Sequence, residues 1–504
     1  MKILNAAEIK LWDQFTIEHE PISSINLMER AATSCVEWIK ETGLLSHSFA
    51  IFCGKGNNGG DGLAIARMLA EEHCKVQVCI LEFGHLGTED FQLNLERLHQ
   101  ARIDIRYIQS EENFHEFKPG EIIIDALFGS GLNRPLEGIT AELVEHINQS
   151  GCRIISIDIP SGLSADQSSK GNIAVKANDT LSFQCYKPAF LAAENGLHTG
   201  NIHILDIGLH PGFYKSLIVP CELVDKTITH SIYKPRNDFS HKGNFGHALL
   251  VAGSYGKMGA AVLAAKACLR SGAGLLSCHI PKSGYDIMQV SVPEAMVITD
   301  FNSSFNTRIE DDLLKYDAIG IGPGLGMASE TKSLLHELFH VYRNPIVIDA
   351  DALNIIASQK DLLTQVPQGS ILTPHPKEFE RLFGVCKNDF DRLQLAKEKS
   401  NEFNLVIVLK GHHTFIASPH SKGFFNSTGN AGMATAGSGD TLTGILTGLL
   451  GQGYSPAETA ILGVYLHGLA GDYAADEKSM EAMIAHDITD NLGKAFREVQ
   501  GGVL

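Results

Sequence analysis

Short, continuous apolar runs recur along this chain, and each is followed by a glycine-rich or amphipathic stretch. Such runs are typical of strands that are buried on both faces. Their alternation with helices predicts parallel βαβ units with helices on both sides of a sheet, which restricts the fold to the α/β class. In the first half of the chain the predicted strands are Phe49–Cys53, Val76–Leu81, Ile122–Ala126, Ile154–Ile159 and Thr180–Phe183.

The same alternation restarts after residue 245. A length of 504 residues is long for a single hydrophobic core, so the restart indicates a second domain. Val224–Lys242 is polar and lacks periodicity, which places the boundary near residue 230. We therefore predict two three-layer αβα domains, at residues 1–225 and 235–504. The predicted strands of the second domain are Ala248–Ala252, Leu275–Ile280, Ala318–Ile321, Ile346–Ile348, Ser370–Leu372 and Val406–Leu409.

Charge and composition exclude several classes of protein. A net charge of −17 argues against a nucleic-acid-binding surface, which would need a basic face. The ten cysteines contain no C-x-x-C pair, so neither a disulfide framework nor a structural zinc site is expected. The N-terminus has the capping-box spacing of Asn5 and Glu8 instead of a signal peptide, and no apolar run approaches the ~20 residues that cross a bilayer. We expect a cytoplasmic protein without membrane or nucleic-acid partners.

The first predicted strand runs into a glycine loop, Gly54–Gly62, that opens a helix predicted over Gly62–Glu72. The loop satisfies G-x-G-x-x-G, and Glu82 follows the next strand at a distance that would suit a ribose contact, so an NAD-binding dehydrogenase domain is one interpretation. A dinucleotide finger has no need of Asn57, Asn58 and Asp61, which bring side-chain oxygens into the loop. A tight turn with Asp61 as a helix cap is the structural alternative.

Two further strands of the first half end in aspartate, at Asp125 and at Asp158, and Ser161 follows the second of them. The carboxyl ends of parallel strands line one crevice, so these side chains and Asn58 can converge on one site. Hard oxygen ligands of modest charge suit an alkali or alkaline-earth cation better than zinc. Each aspartate alone could be a cap or turn residue, but the set predicts a functional site.

Residues 1–220 resemble the NAD(P)H-hydrate epimerase family, a Rossmann-like fold, in the order and spacing of Asn57–Gly62, Gly129–Pro135 and Asp158–Gly162. The resemblance implies that Asn58, Asp125 and Ser161 hold K⁺. It also implies that Asp158 lies close to the reacting carbon, where we predict that it acts as acid and base. The residues that would hold the hydrated cofactor are Asn57, Asn58, Gly59, Gly60, Asp61, Gly129, Ser130, Gly131, Leu132, Asn133, Arg134, Pro135 and Asp158.

In the second half, a run of small residues over Asn430–Gly444 leads into a helix predicted over Thr441–Leu450. Small residues at a helix N-terminus leave backbone N–H groups that point at one spot and form an anion hole. Asp440 then stands at the start of the helix beside the anion. Asp440 could serve only as the N-cap, but a cap does not require Gly437 and Gly439 before it.

Other polar clusters follow predicted strands of the second half, at Lys410–Thr414, Gly322–Gly326, Asp349–Asn354 and Thr373–Pro376. A lysine, a glycine and a hydroxyl directly after a buried strand suit a nucleotide phosphate or ribose. His375 lies between two prolines, which restrict the backbone on both sides, and we predict that it contacts a ligand.

The loop Ala436–Asp440 resembles the anion hole and catalytic base of ribokinase-like kinases. Together with Thr373–Pro376, the longer run Asn430–Asp440 and the Lys-Gly-x-x-Thr motif of Lys410–Thr414, the match over about residues 235–500 is closer to the nucleotide-dependent NAD(P)H-hydrate dehydratase family. This resemblance implies that the adenine nucleotide contacts Lys410, Gly411, His412, His413, Thr414 and Gly439. It implies that the hydrate contacts Ala260, Gly324, His375 and Asp440, with Ala261 as the alternative to Ala260.

The resemblances imply a bifunctional repair enzyme that interconverts the R and S hydrates NADHX and NADPHX and dehydrates the S form. Asp440 would remove the hydroxyl proton as phosphate is transferred, with Mg²⁺ screening the anions. We expect ADP as the nucleotide, on the resemblance alone, with AMP and phosphate as products, and a homo-oligomeric state. Two alternatives are a ribokinase-like kinase fused to a dinucleotide-binding domain and a non-catalytic nucleotide sensor. The sensor would lack acid/base residues, whereas Asp158 and Asp440 are both present.

Overall fold

The computed structural model describes residues 1–501. The chain forms two compact units. The N-terminal unit contains Lys2–Val219 with the short segment Asn388–Phe390, and the C-terminal unit contains Met1, Pro220–Lys387 and the chain from Asp391 onward. Within residues 1–501, the helices lack the combination of length and apolar character that would span a bilayer.

The N-terminal unit is built on one parallel sheet of seven strands. The strands are β1 (Ser48–Cys53), β2 (Lys75–Leu81), β3 (Ile105–Ile108), β4 (Ile122–Ala126), β5 (Arg153–Ile157), β6 (Asp179–Phe183) and β7 (Asn201–Leu205). Their order across the sheet is β3-β2-β1-β4-β5-β6-β7, which is the order of a Rossmann-like sheet with one added strand. The five predicted strands are confirmed, and β3 and β7 at the two edges are additional.

Helices cover both faces of this sheet. They are α1 (Ala6–His19), α2 (Ser24–Glu41), α3 (Asn57–Glu71), α4 (Glu89–Gln100), α5 (Ile139–Gln149), α6 (Gly196–Thr199) and α7 (Pro211–Ser216), with 3₁₀ turns at Leu44–Ser46, Glu111–Asn113, Pro188–Leu191 and Ala193–Asn195. Alternate residues of β1 divide between the two cores: Ile51 packs in the cluster that contains Leu63 of α3, and Phe52 packs in the cluster that contains Leu143 of α5. The predicted three-layer arrangement is therefore confirmed. The predicted capping box at Asn5 and Glu8 opens α1.

The C-terminal unit carries a sheet of ten strands. They are β8 (Cys221–Val224), β9 (His247–Val251), β10 (Leu275–Ile280), β11 (Met296–Thr299), β12 (Ala318–Ile321), β13 (Ile346–Ile348), β14 (Ile371–Leu372), β15 (Val406–Leu409), β16 (Phe415–Ala417) and β17 (Gly423–Asn426). The order is β11-β10-β9-β12-β13-β14-β15-β16-β17-β8, parallel from β11 to β15. β16 is antiparallel to both of its neighbours. The six predicted strands are present, and β8, β11, β16 and β17 are additional.

The helices of this unit are α8 (Lys226–Ile232), α9 (Met258–Arg270), α10 (Tyr285–Ser291), α11 (Ser329–Val341), α12 (Ala350–Ser358), α13 (Pro376–Phe383), α14 (Asp389–Phe403), α15 (Ser438–Gly451), α16 (Pro456–Lys478) and α17 (Ala485–Gln500). The 3₁₀ turns lie at Lys242–Phe245, Lys282–Gly284, Leu313–Lys315, Lys360–Gln365 and Ala431–Met433.

The structure differs from the sequence-based expectations at the domain boundary and at two helix starts. Strand β8 pairs with β17 in the second sheet, although it falls within the range 1–225 that the sequence assigned to the first domain. Helix α3 begins at Asn57, not at Gly62, and α15 begins at Ser438, not at Thr441. Both helices start directly at glycine-rich segments, where apolar periodicity, the signal used to find them, has not yet begun.

Candidate active sites of the two units

The first site lies at the carboxyl ends of β1, β4 and β5. Strands β1 and β4 are neighbours although they are not consecutive in the chain, so their ends flank the switch point of the sheet, where open α/β sheets bind ligands. The structure places Asn58 on the first turn of α3 after β1, Asp125 inside β4 and Asp158 directly after β5. These predicted residues therefore meet at one edge of the sheet.

Asp125 is fully buried and is tied to two serines. The Ser161 hydroxyl donates to its Oδ1 at 2.6 Å, and the Ser161 backbone N–H and the Ser156 hydroxyl donate to its Oδ2 at 2.9 and 2.7 Å. Burial raises the pKa of Asp125, and these hydrogen bonds oppose that rise. Asn58 is buried as well, and neither its Oδ1 nor its Nδ2 has a hydrogen-bond partner among residues 1–501. Asn58 lies against Gly129, as the Asp158 carboxylate does, and an unpartnered buried amide in such a place is available to a ligand.

The backbone of Asp158 has an unusual conformation, and both of its carboxylate oxygens have polar partners. Its φ is +68°, in the left-handed region that side-chain-bearing residues seldom adopt. Lys187 Nζ lies 2.8 Å from its Oδ1, and the Ser130 N–H donates to its Oδ2 at 2.8 Å. Burial opposes ionisation, but the Lys187 ammonium and these hydrogen bonds bring the pKa of Asp158 below its ordinary value. Asp158 is therefore an ionised carboxylate at neutral pH.

Two other carboxyl groups in this environment behave in the opposite way. Burial, reinforced by the charge of Asp158, raises the pKa of Asp13 to about 7, and it raises the pKa of Asp61 well above its ordinary value. The site thus combines one ionised carboxylate with carboxyl groups that keep their protons to higher pH, which is how protein environments separate the roles of base and acid. The sequence pointed to Asp61 but not to Asp13 or Lys187. The one available signal for Lys187 was a lysine in the apolar segment directly after β6.

The glycines of the first loop serve close packing. A Cβ on Gly59 would collide with the Gly54 carbonyl, and a Cβ on Gly54 would collide with the Leu127 carbonyl. Two of the three glycines of the G-x-G-x-x-G match are thus explained by the close approach of the chain after β1 to the start of α3 and to the residue that follows β4, whereas a Cβ on Gly56 would meet open space. Gly129 is required by the site itself, because a Cβ there would lie 2.7 Å from Asp158 Oδ2. Beyond it, the segment Gly131–Pro135 is largely exposed.

The second site lies at the N-terminus of α15. The N-cap is Gly437, with φ +89°, so Asp440 lies in the first turn and the alternative role of Asp440 as N-cap is wrong. Burial raises the pKa of Asp440 to about 6, the carboxylates of Asp349 and Asp351 add to this rise, and Lys410 opposes it. A carboxylate with this pKa is ionised at neutral pH and strongly basic for its type, which suits a general base.

Lys410 and Asp349 connect three elements at this site. Asp349 follows β13 and is buried; its Oδ1 lies 2.9 Å from Lys410 Nζ, and its Oδ2 accepts from the Thr443 hydroxyl at 2.8 Å. Burial opposes the charge of Lys410, but Asp349 and Glu378 raise the pKa of Lys410, so it stays charged. The sequence singled out Asp349–Asn354 without a role, and it did not point to Thr443.

A cavity of about 710 Å³ opens beside Lys410 and the start of α15. Its lining includes the predicted contacts His375, Lys410, Gly411, His412, Thr414 and Gly439. His413 is half-buried instead, and its Nδ1 lies 3.2 Å from the Asn426 carbonyl. His375 also caps α13, where its Nδ1 accepts from the Lys377 and Glu378 N–H groups at 3.1 and 3.2 Å. Both the structural and the ligand-facing role of His375 are therefore compatible with its position.

The structure brings the remaining two predicted contacts together. A Cβ on Gly324 would lie 3.1 Å from the Ala260 Cβ, and Gly324 has φ +59°. Ala260 is partly exposed at the start of α9, whereas Ala261 is buried in the core. The geometry therefore favours Ala260 as the residue that faces the site. Asp351 fixes the neighbouring loop by accepting from the Gly326 N–H at 2.8 Å.

His467 was missed by the sequence analysis and lies against the same cavity. It is buried, and its Nε2 lies 3.0 Å from the carbonyl of Ser438 at the start of α15. Burial lowers the pKa of His467 to about 4, so it is neutral and fixes the helix start without adding charge. Over the described part of the chain, histidine, cysteine and carboxylate side chains do not gather into a group of three that could hold a metal ion.

Comparison with known proteins also divides the chain into two parts. A family model described as NAD(P)H-hydrate dehydratase matches residues 248–494, and one described as YjeF-related protein N-terminus matches residues 24–189. The bifunctional NAD(P)H-hydrate repair enzyme of Moorella thermoacetica is 35% identical, and the match covers 99% of this chain and 97% of that protein.

Two solved structures match the C-terminal part. A ribokinase-like superfamily protein from Enterococcus faecalis is 29% identical, with a TM-score of 0.50 over 56% of this chain and 98% of its own, which confirms the ribokinase-like fold. The ADP/ATP-dependent NAD(P)H-hydrate dehydratase of Bacillus subtilis, co-crystallised with ATP and Mg²⁺, is 32% identical, with a TM-score of 0.49 over 55% and 98%. The near full-length match at 35% identity and the two family models show that the chain belongs to the family of bifunctional NAD(P)H-hydrate repair enzymes.

Proposed function

We propose that Asp158 is the reactive carboxylate of the epimerase and Asp440 that of the dehydratase, with the two activities divided near residue 220. The observation that supports this most directly is the difference between the surroundings of the two carboxylates. Asp158 is held ionised by a buried lysine, and Asp440 has a pKa of about 6 at a helix N-terminus beside a nucleotide-sized cavity. Each carboxylate has the protonation behaviour that its half of the reaction needs.

In the epimerase, the hydroxyl-bearing carbon of the hydrate lies beside the ring nitrogen. Protonation of the hydroxyl lets water leave, the nitrogen lone pair forms a cationic ring, and water returns from either face. The ionised Asp158 stabilises that cation, but its lowered pKa makes it a poor proton donor. A neighbouring carboxyl with a raised pKa, Asp13 or Asp61, therefore takes the acid/base role that the sequence suggested for Asp158, and supplies and recovers the proton. The segments Asn57–Asp61 and Gly129–Pro135 bind the rest of the cofactor.

Asn58, Asp125 and Ser161 fit a K⁺ ion. Their donors are an unpartnered amide, one carboxylate and a hydroxyl, which are hard oxygens of low total charge. A bound K⁺ supplies a fixed positive charge beside the cofactor-binding loops. The residues of the chain contribute the orientation, because Asp125 fixes Ser161 through both its hydroxyl and its backbone N–H.

In the dehydratase, Asp440 accepts the hydroxyl proton of the S hydrate while a phosphoryl group passes from the nucleotide to that oxygen. The phosphorylated hydrate then expels phosphate, assisted by the ring nitrogen, and loss of a ring proton restores NAD(P)H. Lys410 and the N–H groups at the start of α15 bind the phosphates. We propose ADP as the phosphoryl donor, with AMP and phosphate as products.

Mg²⁺ fits this site as an ion held mainly by the nucleotide. Mg²⁺ is usually bound by one or two carboxylates together with substrate phosphates and waters, and Asp349 and Asp351 are the carboxylates near Asp440. Bound Mg²⁺ neutralises the charge that develops on the transferred phosphoryl group. Cytoplasmic location and a homo-oligomeric state stay predictions from the sequence.

Two variants test the assignments separately. Asp158→Asn should slow the interconversion of R and S NADHX, followed by chromatography without nucleotide, by roughly 10²–10⁴-fold. Asp440→Asn should abolish NADH formation from S-NADHX with ADP and Mg²⁺. Each variant is the control for the other, because it should retain the untouched activity. Wild-type interconversion by Asp158→Asn, or a stable phosphorylated product from the wild type, would contradict the proposal.

A further inference from the structure

Lys187 is a fully buried lysine whose ammonium faces Asp158. Its side chain is 0% exposed, although lysine is almost never buried unless it is paired. The Nζ lies 2.8 Å from Asp158 Oδ1 and 3.3 Å from the Asp158 carbonyl, and it donates to the Ser182 hydroxyl. Because one ammonium contacts both the side chain and the backbone of the same residue, it fixes where that carboxylate lies.

The backbone of Asp158 needs such support. Its left-handed φ of +68° is unfavourable for a residue with a side chain and persists only where the surrounding structure holds it. The Asp158 N–H donates to the Leu181 carbonyl at 2.8 Å, and the Asp158 carbonyl accepts from Lys187 Nζ. The other carboxylate oxygen, Oδ2, accepts from the Ser130 N–H. The carboxylate is thus held between the turn at Gly129 and Ser130 on one side and Lys187 on the other.

We propose that Lys187 is a positioning residue of the epimerase, which holds Asp158 as an oriented carboxylate that stabilises the cationic ring and does not donate the proton. This inference rests on the proposed epimerase function of the N-terminal unit. Lys187 acts through Asp158 and does not itself touch the hydrate, since its three contacts already surround the ammonium. The proton is left to the carboxyl groups on the neighbouring helices.

The surroundings of the pair are consistent with this division. Ionisable side chains whose charges interact with Asp158 or Lys187 include Asp13 on α1, Cys35 on α2, Asp61 on α3, and Asp166 and Cys185 in the loops after β5 and β6. Burial raises the pKa of every one of these groups, so all are biased toward the neutral form. Lys187 is consequently the cation that balances Asp158 within this set.

A merely structural role for Lys187 makes a different prediction from a positioning role. A buried ion pair that only holds the loop after β6 would cost stability when broken, whatever the state of the active site. Arg153 and Asp179 provide a comparison: Asp179 is buried, its Oδ2 lies 2.7 Å from Nη2 of the partly exposed Arg153, and the pair lies at the amino ends of β5 and β6, away from the site. Arg153→Met is therefore the control for the loss of an ion pair in the same unit.

The experiment measures the pH dependence of R-to-S interconversion of NADHX, without nucleotide, for the full-length wild type, Lys187→Met, Asp158→Asn and the double variant. Removing the cation should raise the pKa of Asp158, so Lys187→Met should lose activity at a pH at least about one unit higher than the wild type as the pH falls. At neutral pH its kcat should fall by roughly 100-fold, with KM within about threefold. In the Asp158→Asn background, Lys187→Met should lower kcat by less than about threefold.

Arg153→Met should lower the melting temperature and leave the pH profile in place. An unshifted acid limb in Lys187→Met, or an equal loss in the Asp158→Asn background, would overturn the inference. If Lys187→Met does not fold, Lys187→Arg keeps a cation and should keep the acid limb at the wild-type pH while kcat falls; an upward shift in that variant would overturn it equally. A wild type that does not interconvert the hydrates would refute the epimerase proposal, which is a separate outcome.

Discussion

Single glycines set how closely the backbone approaches the two carboxylates that we propose to be reactive. Gly129 leaves room for Asp158 Oδ2, and Gly437 adopts the positive φ that turns the chain into α15 ahead of Asp440. A side chain at Gly437 would also lie against Leu263 of α9. In both units the carboxylate is positioned by backbone that only glycine permits, which is why glycine-rich loops were the informative motifs in the sequence.

Gly129→Ala should impair the epimerase selectively. The added Cβ would lie 2.7 Å from Asp158 Oδ2, and Lys187 prevents the carboxylate from moving away freely. We expect interconversion of R and S NADHX to slow by roughly 10- to 100-fold, since displacement of about 1 Å at a reacting group has effects of this size. Dehydration of S-NADHX should be unchanged. Gly196→Ala, where the Cβ meets open space, is the control, and a wild-type rate in Gly129→Ala would contradict the geometry.

The sequence identified residues that sit in recognisable loops and missed those that act from elsewhere. Asn58 and Asp440 open helices in glycine-rich segments, Asp158 follows a strand, and Asp125 lies at the end of an apolar strand. Lys187 and His467 reach their sites from a loop and from the middle of α16, where a lone lysine or histidine carries no local signal. Their partners are 29 residues away in each case, so only the folded chain brings them together.

At the level of elements, α15 is the helix that fixes the dehydratase site. Its glycines allow it to lie directly against α9: a Cβ on Gly444 would collide with the Ala264 carbonyl, and one on Gly448 would collide with the Ser271 hydroxyl. Close helix packing of this kind leaves little freedom for the helix start. Asp349 then couples α15 to β13 and β15 through Thr443 and Lys410.

This coupling predicts a pH effect for Asp349→Asn. Asp440 must be ionised to accept a proton, so kcat/KM for dehydration should fall as the pH drops through about 6 in the wild type. The charge of Asp349 helps to raise that pKa; without it the acid limb should move to lower pH. We also expect roughly a 10- to 100-fold lower kcat/KM at pH 8, because Lys410 loses its partner.

Thr443→Val is the matched control for this experiment. It removes the other hydrogen bond to Asp349 but leaves the carboxylate charge in place. Its acid limb should therefore stay at the wild-type pH, even where its rate is lower. An unchanged acid limb in Asp349→Asn would show that Asp349 does not set the basicity of Asp440.

The strands that were predicted are those whose two faces are covered. Continuous apolar runs such as Ile122–Ala126 are unambiguous, because every residue is buried. Strands β3 and β7 lie at the edges of the first sheet and β11 and β8 at the edges of the second, where half-exposed sequences lose that pattern. The antiparallel pair β16 and β17 is short and follows the segment Lys410–Thr414, so its apolar residues gave no separate signal.

At the level of the whole molecule, the two units use the same arrangement for different chemistry. Each places one carboxylate at the carboxyl edge of a largely parallel sheet, next to a helix N-terminus, and pairs the site with one buried or nearly buried lysine. The surroundings set the basicity of each carboxylate: Lys187 keeps Asp158 weakly basic, and burial together with the charge of Asp349 makes Asp440 more strongly basic. Because the epimerase and the stereospecific dehydratase lie in one chain, the two activities are present in equal amounts and together remove both hydrate epimers.

The most direct test of the account is the recovery of NADH from an equal mixture of R and S NADHX by the full-length chain with ADP, Mg²⁺ and K⁺, followed by the absorbance of the reduced nicotinamide. Because the epimerase supplies the dehydratase, the whole mixture should be converted. Asp158→Asn should recover the S half and then only the slow spontaneous remainder, and Asp440→Asn should recover none. Wild-type recovery that stops at half would contradict the epimerase assignment, and no recovery would contradict the dehydratase assignment.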